Sequence, residues 1–300
     1  MKELEFVKYL THKFRAGPGV VRGIGDDCAV LKYTKDRYML LTCDMIIEGT
    51  HFTKKTIPYQ IGWKAMAVNI SDIASMGGIP KYALVSAGIS RNKDMKFLKE
   101  IVRGMDAISR KFGVNIIGGD TNASGKTVVN VTLLGEVEKK CLITRNGAKA
   151  GDLIFVTGAL GEGAVKHLKF FPRLKEARIL VKNFKINSMI DLSDGLAMDL
   201  NRVARASNVG ARVYESLLPL PASLRGRPGR RAEAIFVGED FELLFTASIK
   251  ESKKIMKRMG EKNDLPVTLI GEVADKRLGV ILVGEEGRTK QLRRKGFSHL

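Results

Sequence analysis

The sequence predicts an α/β protein of mixed sheets, folded as two domains. Three observations carry this. At 300 residues the chain is long for one domain on the usual prior of ~150 residues each. From residue 20 to about 140, strand-like runs alternate with two long stretches of helical period. After a segment rich in turn formers, Thr144 to Asp152, the same mixture starts again.

Taken in order, MKELEFVKYLTHKF places Phe6, Val7, Leu10 and Phe14 at helical spacing and carries acidic residues, which describes a docking helix and not a signal or transit peptide. Strands are expected at Met39 to Thr42, Ala83 to Ala87, Val114 to Ile117 and Thr127 to Leu134, and helices at about 59–76 and 93–112. The boundary falls near 140, giving domains 1–140 and 141–300. The second half opens with a strand, Leu153 to Thr157, then a glycine turn and a helix near 162–170. A helix at about 195–207 and strands near 212, 235, 243 and 268 follow.

Composition narrows the class. With 44% hydrophobic and 28% charged residues the chain reads as an ordinary soluble protein, and no segment approaches the ~18 apolar residues of a membrane span. Cys28, Cys43 and Cys141 have neither a metal spacing nor the even count of a disulfide framework, so a reducing, cytoplasmic setting is expected, without zinc. The net charge of +19 invites a nucleic-acid reading. No zinc-finger spacing, RNP-type aromatic sequence or basic heptad helix supports it. The basic clusters Arg225 to Arg231 and Arg293 to Lys295 read as solvated surface, and the charge equally suits attraction of polyanionic small substrates.

IIGGDTNASGKTVVNV, residues 116–131, ends a P-loop-like Gly125-Lys126-Thr127, but the glycine required five positions earlier is Asp120. The β-branched TVVNV that follows is a strand where a P-loop needs a helix, so Asn122 to Gly125 reads as a turn. Gly158-Ala-Leu-Gly161-Glu-Gly163 could bring backbone N–H groups to an anion, or be a plain strand-to-helix turn. Arg145, just upstream, could clamp a phosphate or lie on the surface.

The carboxylates carry the chemistry. Asp26, Asp27, Asp44, Asp72, Asp120, Asp191 and Asp194 all stand where apolar runs end. For each alone, a cap or turn is an adequate reason. Asp72 is different, because Ile61, Ala65 and Val68 make an apolar stripe whose next step is Asp72, with no Lys or Arg three or four residues away. A carboxylate on a buried face costs several kcal/mol unless it is paired or binds a metal. Asp191, Ser193 and Asp194 precede a helix that needs only one capping acceptor. Aspartates with Thr42, Ser71 and Ser193 and no Cys/His set suit Mg²⁺ more than zinc. No G-x-S-x-G elbow or histidine triad context is present. His51, in Glu48-Gly-Thr-His51-Phe52, could equally reach a substrate or be structural.

In order, GIGDDCAVL, LTCDMIIEGTHF, AVNISDIASMGGIP, IIGGDT, LITRNGAKAGDLIFVTG, MIDLSDGLAMDL and VGEDFELLF resemble thiamine-monophosphate kinase, of the superfamily of AIR synthetase, selenophosphate synthetase and HypE. The resemblance implies a two-domain AIR-synthetase-like fold, with an N-terminal domain that forms a β-barrel in a homodimer and a C-terminal α/β domain. It implies ATP- and Mg²⁺-dependent phosphorylation of thiamine monophosphate, in a cleft between the domains. Several Mg²⁺ ions would be held by Asp27, Thr42, Cys43, Asp44, Asp72, Asp120, Asp191 and Asp194, of which Asp72, Asp120 and Asp194 would be catalytic. Gly119, Asp120, Arg145 and Ser193 would lie at ATP, and His51, Glu239 and Phe297 at the thiamine phosphate. Cys43 stands where the family has threonine, and a thiol is a poor Mg²⁺ ligand, which leaves its backbone carbonyl; Val237 replaces the first glycine of Gly-Gly-Glu-Asp. AIR synthetase fits the Glu-Gly-Thr-His and Gly-Glu-Asp-Phe-Glu-Leu segments less well, and HypE lacks support in a C-terminal cysteine tail. The readings left as alternatives are another superfamily enzyme with a different acceptor, and a basic nucleic-acid-binding protein.

Overall fold

The structure, a computed structural model, describes residues 3–224, 226, 229–262, 266–284 and 286–292. The first half runs α1 (Glu3–Lys13), β1 (Val20–Arg22), β2 (Ala29–Lys32), β3 (Arg37–Ile47), α2 (Pro58–Ser75), β4 (Ile79–Ser90), α3 (Met95–Phe112), β5 (Asn115–Ser124) and β6 (Val128–Glu138). Its strands form one open sheet in the order β1-β2-β3-β6-β4-β5. Only β4 and β5 pair in parallel, because α3 carries the chain across between them.

The second half runs β7 (Leu153–Thr157), α4 (Gly163–Lys166), α5 (Leu174–Asn183), β8 (Ile186–Asp191), α6 (Leu196–Ser207), β9 (Gly210–Tyr214), α7 (Arg230–Phe236), β10 (Leu243–Ala247), α8 (Ile249–Lys262), β11 (Val267–Ala274), β12 (Val280–Val283) and β13 (Thr289–Gln291). These strands form a second sheet, β13-β12-β9-β11-β7-β10-β8, in which only β9 and β12 are parallel. Every residue of β10 is buried, so an unbroken apolar run there is what a strand covered on both faces requires.

Local chemistry sets the helix ends. Pro58 starts α2, Asp94 caps α3 by accepting from Phe97 N at 2.8 Å, and Gly113 closes α3 in the left-handed region. The two helices cross backbone to backbone. A Cβ on Gly62 would stand 1.9 Å from the Ile101 carbonyl oxygen, and one on Gly104 1.9 Å from that of Tyr59. α2 is buried on nearly every side, against α3, the strands β3, β4 and β6, and α5 and β8 of the second half. One apolar cluster therefore joins Ile61, Ile70 and Leu133 to Phe155, Met189 and Phe245.

Several elements differ from the sequence reading. The strand expected near 235 is α7: Ile235-Phe236-Val237 looks β-forming, but Arg230 to Ala234 ahead of it favours a helix. Only Gly163–Lys166 of the helix expected near 162–170 forms. β1, β2, α5, β8, α8, β12 and β13 lie outside the elements expected from the sequence. β5 extends through Ser124, so Asp120 lies inside a strand and the turn falls after it. α1 is present, but Phe6 and Phe14 are exposed and only Val7 and Leu10 of its apolar set are partly covered. Among the described residues no helix is long and apolar enough to cross a membrane. The three cysteines are free, Cys28 and Cys141 buried and Cys43 exposed.

Candidate active site

Lys64, Val68 and Asp72 follow one another at four-residue intervals, which places them on one face of α2. All three line a cleft of about 860 Å³. Its other walls come from α1 between Val7 and His12, the segment Ile24 to Asp27, β3, His51, Arg145, the stretch from Asp191 to Asp194, α6 between Arg202 and Ala206, Glu239 and Phe241.

At one end, carboxylate oxygens of Asp27, Asp72 and Asp191 lie within 4.8 Å of one another. Hydroxyls steer each of them: Ser75 Oγ donates to Asp27 and Ser71 Oγ to Asp191, both at 2.6 Å, and Thr42 Oγ1 donates to Asp72 at 2.5 Å. Burial, and then the charges of Asp44, Asp191 and Asp27, push the Asp72 carboxyl far above its usual range. Burial and Asp27 do the same to Asp191, against the Ser71 hydrogen bond. Three crowded carboxylates of this kind are unstable as anions unless a cation joins them, and an all-oxygen donor set suits a hard divalent ion.

Two arginines flank the cluster. Arg145 grips Asp27 through Nη2 and through Nε at 3.0 Å, and its backbone N–H donates to Asp26 at 3.1 Å. Arg202 pairs with Asp194 and donates to Asp199 at 2.6 Å. Burial raises the Asp199 carboxyl to about 7 although Arg202 pulls it down.

At the other end the Lys64 side chain is fully buried, and its ammonium reaches the His51 carbonyl (3.1 Å), His167 Nδ1 (2.6 Å) and the Glu239 carboxylate. Burial lowers the Lys64 pKa, with Glu239 opposing. The cleft thus has an anionic floor and, two helical turns away, a mixed Lys/His/Glu cluster.

Comparison with known proteins bears on what uses this cleft. The family model described as AIR synthase related protein, N-terminal domain, matches residues 25–137, and that of the C-terminal domain matches 160–283. The thiamine-monophosphate kinase of Bacillus subtilis (strain 168) is 34% identical over 100% of this chain and 99% of its own length. That of Rhodopirellula baltica is 36% identical over 90% and 89%. The chain belongs to the thiamine-monophosphate kinase family. A solved structure, AaThiL complexed with AMPPCP and TMP, superposes with a TM-score of 0.87 at 28% identity, covering 100% of this chain and 97% of that one.

Of the positions that resemble the family's site, Asp27, Thr42, Asp44, Asp72, Asp191, Arg145, Ser193, Asp194, His51 and Glu239 all line the one cleft. Cys43 also borders it, but its Sγ lies against Asn130 and Thr132, at 3.3 and 3.4 Å, on the exposed side of the sheet. Gly119 and Asp120 do not border the cleft of this single chain. They sit on β5, the exposed edge strand, where Asn122 donates to Asp120 at 2.6 Å. Gly119 has a steric reason to be glycine, since a Cβ there would lie 1.8 Å from the Val85 carbonyl oxygen. Phe297 lies outside the described residues.

Two readings that the sequence leaves open are decided. The glycine turn at 158–163 offers no free anion site: Gly161 N and Gly163 N already donate to Asp240, each at 2.8 Å. Neither Asp191 nor Asp194 caps α6, whose N-cap is Gly195. Lys64, Ser75, His167 and Arg202 also belong to the site, beyond the residues that the sequence singles out. Lys64 had a signal, a charge on the stripe that made Asp72 conspicuous; the others depend on contacts between distant segments.

Proposed function

We propose that this chain transfers the γ-phosphoryl group of ATP to thiamine monophosphate, forming thiamine diphosphate, with Mg²⁺ and as a cytoplasmic homodimer. The observation that carries the reading is the convergence of Asp27, Asp72 and Asp191 at the floor of a cleft in a fold that matches AaThiL complexed with AMPPCP and TMP. Mg²⁺ held by these carboxylates, with Asp44 and Asp194 beside them, would neutralise and align phosphoryl oxygens.

The acceptor is a phosphate monoester with a second pKa of ~6, largely dianionic at neutral pH and nucleophilic without a general base. That agrees with the placing of His51, one of two histidines that line the cleft, the other being His12: its Nδ1 accepts from the Ile47 backbone N–H at 3.0 Å and is not available there as a base. The work left to the chain is to bring two anions together. Arg145 and Arg202 supply fixed positive charge beside the floor, Ser193 borders the nucleotide side, and His51 and Glu239 hold the acceptor at the far end.

The homodimer would use the open sheet. β5 is an unpaired edge with Ile116 and Ile117 exposed, and Met45, Tyr82 and Leu84 are exposed on the same sheet. A second copy covering this apolar surface would close the two sheets together and would carry Asp120 into the shared interface.

The test is an assay with purified protein, ATP and Mg²⁺, offered thiamine monophosphate, free thiamine or formylglycinamidine ribonucleotide separately. Thiamine diphosphate formed from the monophosphate alone is the expected result. Its absence at saturating ATP and Mg²⁺ would overturn the reading.

A further inference from the structure

Lys64 is a cation taken wholly out of water in the middle of a helix, an arrangement that costs stability unless every donor is used. Three groups stand ready to accept its three N–H bonds, His167 Nδ1 among them while that nitrogen is bare, and they come from three separate segments: the His51 turn after β3, His167 beyond α4, and Glu239 before β10. Glu239 is held by both carboxylate oxygens, one on Lys64 and the other 2.9 Å from His167 Nδ1. That imidazole nitrogen serves one neighbour at a time, accepting from the ammonium when bare and donating to the carboxylate when protonated. From behind, Glu239 N donates to the Ser193 carbonyl at 2.7 Å, and the residue sits at φ 66, a left-handed conformation unusual for a glutamate. Backbone strain of this kind persists only where surrounding contacts over-determine it.

We infer that Lys64 is a positioning residue for the acceptor: from the face of α2 that lines the cleft, it fixes the Glu239 carboxylate and the His51 turn across the two halves of the chain. Eight residues of helix, about 12 Å, separate it from Asp72, so it acts at the acceptor end and leaves the carboxylate floor untouched. The inference rests on thiamine monophosphate being the acceptor held by His51 and Glu239.

Steady-state kinetics of Lys64→Met test it. The expected result is a roughly 10- to 100-fold rise in KM for thiamine monophosphate, the size of one or two charge-assisted hydrogen bonds, with KM for ATP within about 2-fold of wild type. Glu239→Gln should then add little in the double variant, since both changes break the same contact. If Lys64→Met does not fold, His167→Ala, which removes the cage from its partly exposed side, should raise the acceptor KM and spare that of ATP. A folded variant whose acceptor KM is unchanged, or whose two KM values rise together, would overturn the positioning role while wild-type activity upheld the reaction. Wild-type protein that made no thiamine diphosphate would remove the reaction and this inference with it.

Discussion

Asp72→Asn separates a carboxylate kept for a cation from one kept for the fold, because the two roles predict opposite signs in the metal-free protein. Oxygens of Asp27, Asp72 and Asp191 lie within 4.8 Å, and two unit charges that far apart at an effective dielectric of about 20 repel by about 3 kcal/mol. Asparagine keeps an oxygen for the Thr42 hydroxyl and removes the charge. In EDTA the variant should therefore melt higher than wild type, by roughly 5 °C for a chain of this size. The pH dependence follows with a definite sign. A carboxyl whose folded pKa is raised binds its proton more tightly when folded, so its stabilising contribution is complete below the ordinary carboxylate pKa and is lost as pH rises through the raised value. Metal-free wild type should thus lose melting temperature from about pH 4 upward, and Asp72→Asn should flatten that slope. Adding millimolar Mg²⁺ with a non-hydrolysable ATP analogue should stabilise wild type by several degrees and the variant far less, with turnover at least ~100-fold lower. Scanning fluorimetry and the coupled assay read all of this. A variant that melts lower in EDTA yet keeps its Mg²⁺ response would refute the reasoning and make Asp72 structural.

Asp120→Asn should cut activity by ~100-fold or more while the chain's own fold stays intact, since within one chain the residue is exposed on the edge strand. Because Asp120 would enter a site completed by a second copy, mixing Asp72→Asn and Asp120→Asn protein should restore roughly a quarter of wild-type activity, and no recovery would argue against sharing. Asp240→Ala should lower stability by about 2–3 kcal/mol in a urea titration, because Gly161 N and Gly163 N are left without an acceptor. Gly62→Ala should cost about 1–3 kcal/mol or more by forcing α2 and α3 apart, and a neutral effect would contradict the close crossing.

What the sequence disclosed of the fold follows from periodicity. α2 and α3 were legible because each carries a long 3.6-residue pattern closed by Pro58, Asp94 or Gly113, and β7 and β10 because buried strands leave continuous apolar runs. β8 was not, since Ile186-Asn-Ser-Met-Ile-Asp191 interrupts its apolar run with polar residues that find partners only in three dimensions: Asn187 bonds Asp152 and Ser188 meets Thr246, both at 2.8 Å. α8 was hidden by its lysines, which crowd a helix that is apolar on one side only.

The site was legible to the extent that its chemistry violates a local rule. Asp72 breaks an apolar stripe within a single helix, and that conflict needs no tertiary knowledge to be seen. Lys64 breaks the same stripe two turns earlier, but a lysine stem can lie along apolar surface with its charge in water, so the violation reads as ordinary snorkelling until Glu239 and His167 close over it. Asp120 differs in its placement: following two glycines at the end of an apolar run, it looks like its fellow aspartates, yet the parallel pairing of β5 with β4 sets it on the edge strand of the sheet. The glycine turn at 158–163 shows why a motif alone is insufficient. Amides at a helix start attract an anion whatever its source, and here Asp240, 79 residues from Gly161 in sequence, is the anion already there. The residues that the sequence leaves open are those whose role depends on which distant segment arrives opposite them, and for Asp120 the dimer proposed above would bring that segment from a second copy of the chain.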